Sequence, residues 1–308
     1  MVGCMDRPTE DFMILVAGSA NLDFVVRAQH IPSPGETVLG SDFKTFPGGK
    51  GANQAVAASR AGGADTHMLA ALGSDAYAVP LEASLKDAGV QLHAVHVTEQ
   101  PTGCAFICVS DDAENAITVA PGANLCLQPE HLPPLDGFSH ILLQLETPVS
   151  TVMAFARAAQ AKGIAVVLNA APAQALPADL LSLIDILVVN EGELATVSGQ
   201  SGSVSHCLQS VSVPTVVVTL GSDGCLARSQ GLFYQQPAFA VTAIDTTAAG
   251  DTFCGALVAA LSQGANLPAA LRQASAAAAL TCTRLGAQSS IPQAADVARF
   301  LSQQPAHP

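Results

Sequence analysis

Two carboxylates, Asp245 and Asp251, bracket a run of small residues, Thr246-Thr247-Ala248-Ala249-Gly250. A strand-like apolar run (residues 239–244) leads in, and an alanine-rich helical run to about residue 263 leads out. N–H groups at a helix start have no intrahelical acceptor, and the helix dipole adds partial positive charge there. Such a turn holds an anion, most commonly a phosphate. Asp251 brings a negative charge to the same place. Either it takes the proton from a hydroxyl attacking that phosphate, or it is an ordinary helix cap.

Other polar groups fall where apolar runs stop. Asn21 and Asp23 follow the first such run two residues apart, so their side chains point the same way. They suit sugar hydroxyls, or an ordinary Asx-rich turn. Gly48-Gly49-Lys50-Gly51-Ala52-Asn53-Gln54 opens a helix with glycines that admit close backbone approach. It has neither the spacing of a Walker A loop nor that of the dinucleotide fingerprint. Lys50 is a ligand contact or a solvated loop lysine. Glu146 ends another run, and so does Asn190-Glu191-Gly192-Glu193. Carboxylates beside a phosphate orient Mg²⁺ through water, or complement a helix dipole. Thr219-Leu220-Gly221-Ser222-Asp223-Gly224 is a nucleotide platform or a plain hairpin turn.

The elements that hold these groups follow from hydrophobic patterning. Residues 13–18 predict a buried strand, and residues 24–46 predict short strands around Pro32-Ser33-Pro34-Gly35-Glu36. Residues 52–61 read as a helix of small residues, 66–72 as a strand and 78–88 as a helix. Residues 91–119 are strand-rich and, with 24–46, predict a small sheet apart from the main one. The chain then alternates: strand 141–145, helix 149–161, strand 164–169, helix 176–183, strand 186–189. A strand at 215–220 and helices at 267–280 and 294–301 complete it. Apolar, β-branched strands between helices predict a parallel sheet covered on both faces.

The 308 residues suit one large α/β domain or two modest ones. A hydrophobic share of 49% with 12% charged residues supports a sizeable core. The net charge of −13 argues against nucleic acid, whose affinity rests on Lys and Arg. Eight cysteines, with no CxxC pair, predict buried thiols in a reducing compartment. Asp6, Glu10 and Asp11 precede the apolar run 12–17, which is too short for a membrane span and lacks a signal peptide's basic start. A cytosolic protein is expected.

The order of these motifs resembles the ribokinase-like (pfkB) carbohydrate kinase family over nearly the full length. The resemblance runs from Gly18-Ser19-Ala20-Asn21-Leu22-Asp23 through the Gly48-Gly49 run, Gln144-Leu145-Glu146, Leu168-Asn169-Ala170-Ala171-Pro172-Ala173 and Asp245–Phe253 to Gly286-Ala287-Gln288-Ser289-Ser290. The GGKGANQA run and the Asn21–Asp23 spacing narrow it towards members acting on ribose. It implies one three-layer α/β/α domain over 12–304 with a mostly parallel central sheet. A small β-sheet lid, from strands near 24–46 and 91–119, would close over the sugar and mediate a homodimer.

The implied reaction moves the γ-phosphate of ATP to the ribose 5-hydroxyl. Asp251 would be the base, and Ala248, Ala249 and Gly250 would supply the anion-hole N–H groups. Asn21, Asp23, Gly49, Lys50, Asn53 and Glu146 match ribose-binding positions. Asn190, Thr219, Gly221, Ser222, Asp223 and Gly224 match nucleotide positions, and Glu193 the magnesium and phosphate motif. Asp245, Thr247, Thr281, Arg284, Gly286 and Ser290 match the site of a monovalent cation, usually K⁺. Two departures stand out: a shortened, Ser- and Gly-rich segment at 198–206, and Ser275 on the adenine side.

Overall fold

The computed structural model describes residues 12–305 except Ala113, so Cys4, Asp6, Glu10 and Asp11 lie outside the described residues. The main sheet uses β1 (Met13–Ala17), β4 (Thr66–Gly73), β5 (Gln91–Val97), β8 (Phe138–Leu143), β9 (Ala165–Asn169), β10 (Ile186–Asn190), β11 (Thr215–Thr219), β12 (Cys225–Ser229) and β13 (Leu232–Gln236). Their order is β13-β12-β11-β10-β9-β8-β1-β4-β5, parallel except for β12 and β13. A second sheet, ordered β3-β2-β6-β7, is built from β2 (Asn21–Ala28), β3 (Gly40–Gly48), β6 (Gly103–Ser110) and β7 (Asn115–Ala120). Its separate, lid-like placement agrees with the expected fold.

Alternation along the strands divides the core into two layers, because successive side chains face opposite ways. Ile14 and Val16 face one cluster, filled from α1 (Lys50–Arg60), α2 (Ala78–Asp87), α7 (Ala249–Ser262), α8 (Leu267–Thr281) and α9 (Ala294–Ser302). Leu15 and Ala17 face the other, filled from α3 (Val149–Ala161), α4 (Ala178–Leu181), α5 (Glu191–Ser198) and α6 (Val204–Ser210). Strand β1 lies between β4 and β8, where the chain's progress across the sheet reverses. Open α/β sheets bind ligands at the carboxyl ends of strands beside such a switch point.

Three local expectations are corrected, and one hairpin is added. Strand β5 was grouped with the lid, but it pairs in parallel with β4 as the edge of the main sheet. Its mixed polarity is that of a half-covered edge strand, which sequence does not separate from a lid strand. Residues 239–244 form no strand: the N–H of Ile244 goes to the Cys282 carbonyl at the end of α8, at 2.8 Å. The sequence reading did not assign β12 and β13, which form a hairpin. They join through Gln230 (φ 51°) and Gly231 (φ 78°), the two positive-φ residues of a type I′ turn. The helix expected over 176–183 shrinks to the single turn α4. In the shortened segment, α5 stops at a left-handed Gly199 and α6 starts on a Ser203 cap.

Candidate active site

Helix α7 opens at Ala248, a non-glycine residue with φ 59°. The Ala249 N–H turns back to the Thr246 carbonyl at 3.2 Å. Among the described residues the N–H groups of Ala248, Gly250 and Asp251 find no acceptor, as an anion-binding helix start requires. Helix α1 crosses α7 with backbones almost touching: a Cβ on Gly255 would stand 2.4 Å from the Gln54 carbonyl oxygen. That approach sets the first turn of α1 against Asp251. Asn53 Nδ2 donates to Asp251 Oδ2 and Gln54 Nε2 donates to Asp251 Oδ1, both at 2.9 Å.

Burial pushes the Asp251 carboxyl above its ordinary range, against the pull of Lys50 and the two amide donors, and Glu146 adds to the rise. Burial alone lowers Lys50, but Asp251, Glu146 and Glu193 outweigh it, so its proton is held more tightly than usual. Burial also raises Glu193. The cluster is therefore three carboxyl groups, Asp251, Glu146 and Glu193, around one tightly protonated ammonium.

Two cavities meet at the start of α7. One of about 190 Å³ is lined by Lys50, Asn190, Glu193, Thr219, Ala248, Gly250, Asp251 and Cys254. The other, about 500 Å³, is lined by Thr219, Gly221, Ser222, Gly224, Ala249, Gly250 and Ser275, with Phe239, Val241 and Phe253 as apolar wall. That volume is in the range of small-ligand pockets. Thr219 and Gly250 line both. Gly250 thus joins the larger cavity to the smaller one that holds Asp251.

On the other side of Asp251 the lid begins. A Cβ on Gly48 would sit 2.2 Å from the Asp23 carboxylate, and one on Gly49 (φ 90°) 2.7 Å from the Asn21 nitrogen, so only glycine lets this loop pass. Asn124 Nδ2 donates to Asn21 Oδ1 at 2.8 Å, which leaves the Asn21 amide as the donor end. Glu146 Oε2 accepts from Ser19 Oγ at 2.5 Å and from the Lys50 N–H at 3.1 Å, tying the ends of β1 and β8 to α1.

Burial, then Glu146 and Asp251, push Asp23 to about 7 from 3.8. Between those values the folded chain holds more protons than the unfolded one, so this group's contribution falls as pH rises and stays unfavourable above the folded pKa. Asp23→Asn removes that burden. The ligand-free variant should melt above the parent near ~pH 8 and lose the advantage by ~pH 4. Thermal melts across that range check it, and a constant difference would refute it.

The structure gathers the other expected residues unevenly. Asn190 and Glu193 close a capping box on α5, each side chain accepting the other's N–H at 2.8 Å. Burial raises Asp245, but a hydrogen bond from the Thr247 side chain and the N–H groups of Gly286 (2.8 Å) and Thr247 (2.9 Å) outweigh it and hold it below the usual range. Thr281 and Ser290 are fully buried, with their hydroxyls donating to the carbonyls of Ala277 and Ala287. The Arg284 guanidinium lies 4.0 Å from Asp296. Asp223 is exposed and lines neither cavity. Sequence reasoning gave no role to Gln54, Gln144, Asn169, Cys254 or residues 238–243. The available signal was an amide, Gln144 or Asn169, directly after a run of apolar strand residues. Among the described residues no three His, Cys, Asp or Glu side chains converge into a metal cage.

A covered parallel sheet, an open helix start beside a buried carboxylate and a nucleotide-sized cavity define an α/β phosphotransferase with an alcohol acceptor. The pfkB family of carbohydrate kinases matches residues 11–294, and the chain belongs to it. It is 39% identical to the ribokinase of Haemophilus influenzae, over 94% of this chain and 98% of that relative. The ribokinase structure from Thermotoga maritima superposes with a TM-score of 0.89 at 36% identity, covering 95% of this chain and 100% of the other. The ribokinase of Arabidopsis thaliana, solved with ribose and ATP, gives 0.87 at 34% identity, covering 96% and 99%.

Proposed function

We infer that this chain catalyses the ATP-dependent phosphorylation of D-ribose at its 5-hydroxyl, giving D-ribose 5-phosphate and ADP. The observation that carries this is Asp251, held by two amide donors in the smaller cavity, next to Gly250, which lines both cavities. Asp251 takes the hydroxyl proton as the oxygen bonds to the γ-phosphorus and the bond to the ADP oxygen breaks. The N–H groups of α7's first turn, with Lys50, stabilise charge on the phosphoryl in flight. Of the three alanine and glycine positions assigned to that hole, Ala248 and Gly250 have free N–H groups, and Ala249 gains its own by releasing Thr246. Asn21, Asp23, Gly49, Lys50, Asn53 and Glu146 are assigned to the sugar, whose hydroxyls satisfy these polar groups. An analogue lacking one hydroxyl leaves a partner unpaired and binds worse.

Glu193 spends one oxygen on the Asn190 N–H, leaving the other for water of an Mg²⁺ shell. Mg²⁺ would neutralise charge on the ATP phosphates. The loop gathered by Asp245 suits a monovalent cation, since its carboxylate stays ionised and backbone carbonyls of the matched residues supply the remaining oxygens. Exchanging K⁺ for Na⁺ is expected to slow turnover in a steady-state assay. Equal rates in both salts would remove this cation site.

We assign residues 12–304 to one kinase domain, with the lid inserted as β2–β3 and β6–β7. Exposed Phe43, Phe106 and Ile117 on the lid support a homodimer through it. Free cysteines fit a reducing cytoplasm. Among the described residues no helix is long and apolar enough to cross a membrane.

The test is ADP release with ATP, Mg²⁺ and K⁺ against ribose, deoxyribose, fructose and adenosine. Ribose well above the others is the expected result. Preference for another acceptor would reassign Asn21, Asp23 and Asn53, and silence with all four would overturn the kinase reading.

A further inference from the structure

Behind the carboxylate lies a chain of buried amides that the reaction so far does not use. Gln54 and Gln144 are fully buried, and Asn169 is buried beside them. Gln54 Nε2 donates to Asp251 Oδ1 and to Asn169 Oδ1, both at 2.9 Å, while Gln144 Nε2 donates to Gln54 Oε1 at 2.7 Å. Backbone fixes the direction of this chain at both ends. Asn169 Nδ2 donates to the Val188 carbonyl at 3.1 Å, and Gln144 Nε2 also faces the Leu142 carbonyl at 3.5 Å. Carbonyls only accept. Turning the Gln54 amide over would place its oxygen against Asn169 Oδ1 and Asp251 Oδ1 with no hydrogen between them. Unpaired acceptors in a buried space are costly. Val188 and Leu142 lie on β10 and β8, the strands either side of β9 in mid-sheet, so the amides reach from the rigid sheet to the reacting carboxylate.

We propose that Gln54, locked by Gln144 and Asn169, is a positioning residue that grips Asp251 Oδ1, commits Oδ2 to the attacking hydroxyl and favours the ionised form of Asp251. This rests on Asp251 being the base. Asn53 occupies one side of Oδ2, leaving its second lone pair for the substrate proton. Without the grip on Oδ1 the carboxylate turns about its Cβ–Cγ bond, and in-line alignment with the hydroxyl is lost. The donor pattern explains why an amide stands at position 54: a carboxyl of the same shape offers at most one hydrogen, where two acceptors need one each.

The test is kcat against pH for the parent enzyme, Gln54→Glu and Gln144→Met. In Gln54→Glu the introduced carboxyl and Asp251 compete for one proton. The acid limb should move up by about one pH unit or more, cutting kcat near neutrality roughly tenfold, with part of the loss regained at higher pH. KM values for ribose and ATP should stay near those of the parent. Gln144→Met leaves every contact to Asp251 in place and removes only the outer anchor. It should move the limb the same way by less, and it carries the test if Gln54→Glu does not fold. Limbs that stay in place, with kcat unchanged or lowered evenly at all pH, overturn the proposal. Asp251→Asn separates the two readings. If that variant turns over, the base assignment falls and takes the proposal with it. If it is inactive while the limbs stay put, the positioning role alone falls.

Discussion

Asp251→Ala should lower kcat by about 10²- to 10⁴-fold, the range a positioned general base contributes, while ribose and ATP still bind. Chemistry and binding separate here because the carboxylate lines only the smaller cavity, while the larger one is walled by other residues. In the parent enzyme the same group should govern the acid side of the rate profile. Burial raises Asp251 against the pull of Lys50 and two amide donors, so the base should lose activity as pH falls through a value above the ordinary 3.8. Lys50→Met removes the largest of those opposing influences, so it should shift the acid limb upward. Pre-steady-state phosphoryl transfer, with calorimetry of each ligand, checks the first expectation. Retained transfer in Asp251→Ala would falsify the role of the base.

The site was legible where polar residues interrupt buried strands. Asn21, Glu146, Asn190 and Thr219 each follow a β-branched apolar run, and the structure places all four at carboxyl ends of the sheet strands or at the lid entrance beside β1. The parallel core was legible for the same reason, since a strand covered on both faces has no alternation to misread. What stayed hidden depends on long-range partners. Strand β5 carries the mixed polarity of an edge, and only its pairing with β4 assigns it to the main sheet. Residues 239–244 have strand-like composition, yet they spend their apolar surface on the larger cavity, with Phe239 also packed edge-on to Phe300. Gln54 and Gln144 lie 90 residues apart in the chain. Nothing local to either says that the two amides meet, or that Asp251 is at the end of the line.

Gly255→Leu is the second change expected to have a large effect, and it touches neither substrate. A glycine inside α7 forgoes about 1 kcal/mol of helix stability relative to alanine, so propensity alone predicts a gain on substitution. Geometry predicts the reverse. Any Cβ at this position would lie 2.4 Å from the Gln54 carbonyl oxygen and 2.7 Å from the Ala58 nitrogen, which are backbone atoms of α1 and cannot rotate away. Gly62 repeats the pattern one step along the crossing, where a Cβ would meet the Ala259 methyl at 2.1 Å. Overpacking of a core typically costs 1–3 kcal/mol and occasionally more; with backbone on one side, a loss of roughly 3 kcal/mol is expected for Leu, or a Tm lower by about 5 °C in a chain of this size. Even Gly255→Ala should destabilise, which is the sharper result because its sign opposes propensity. The same displacement lifts Asn53 and Gln54 from Asp251, so kcat should fall more than the KM values rise. Calorimetric melts and steady-state kinetics on both variants check this. A Gly255→Ala enzyme more stable than the parent, with unchanged kcat, would mean that α1 and α7 do not meet backbone to backbone, and that the grip on the catalytic carboxylate has another origin.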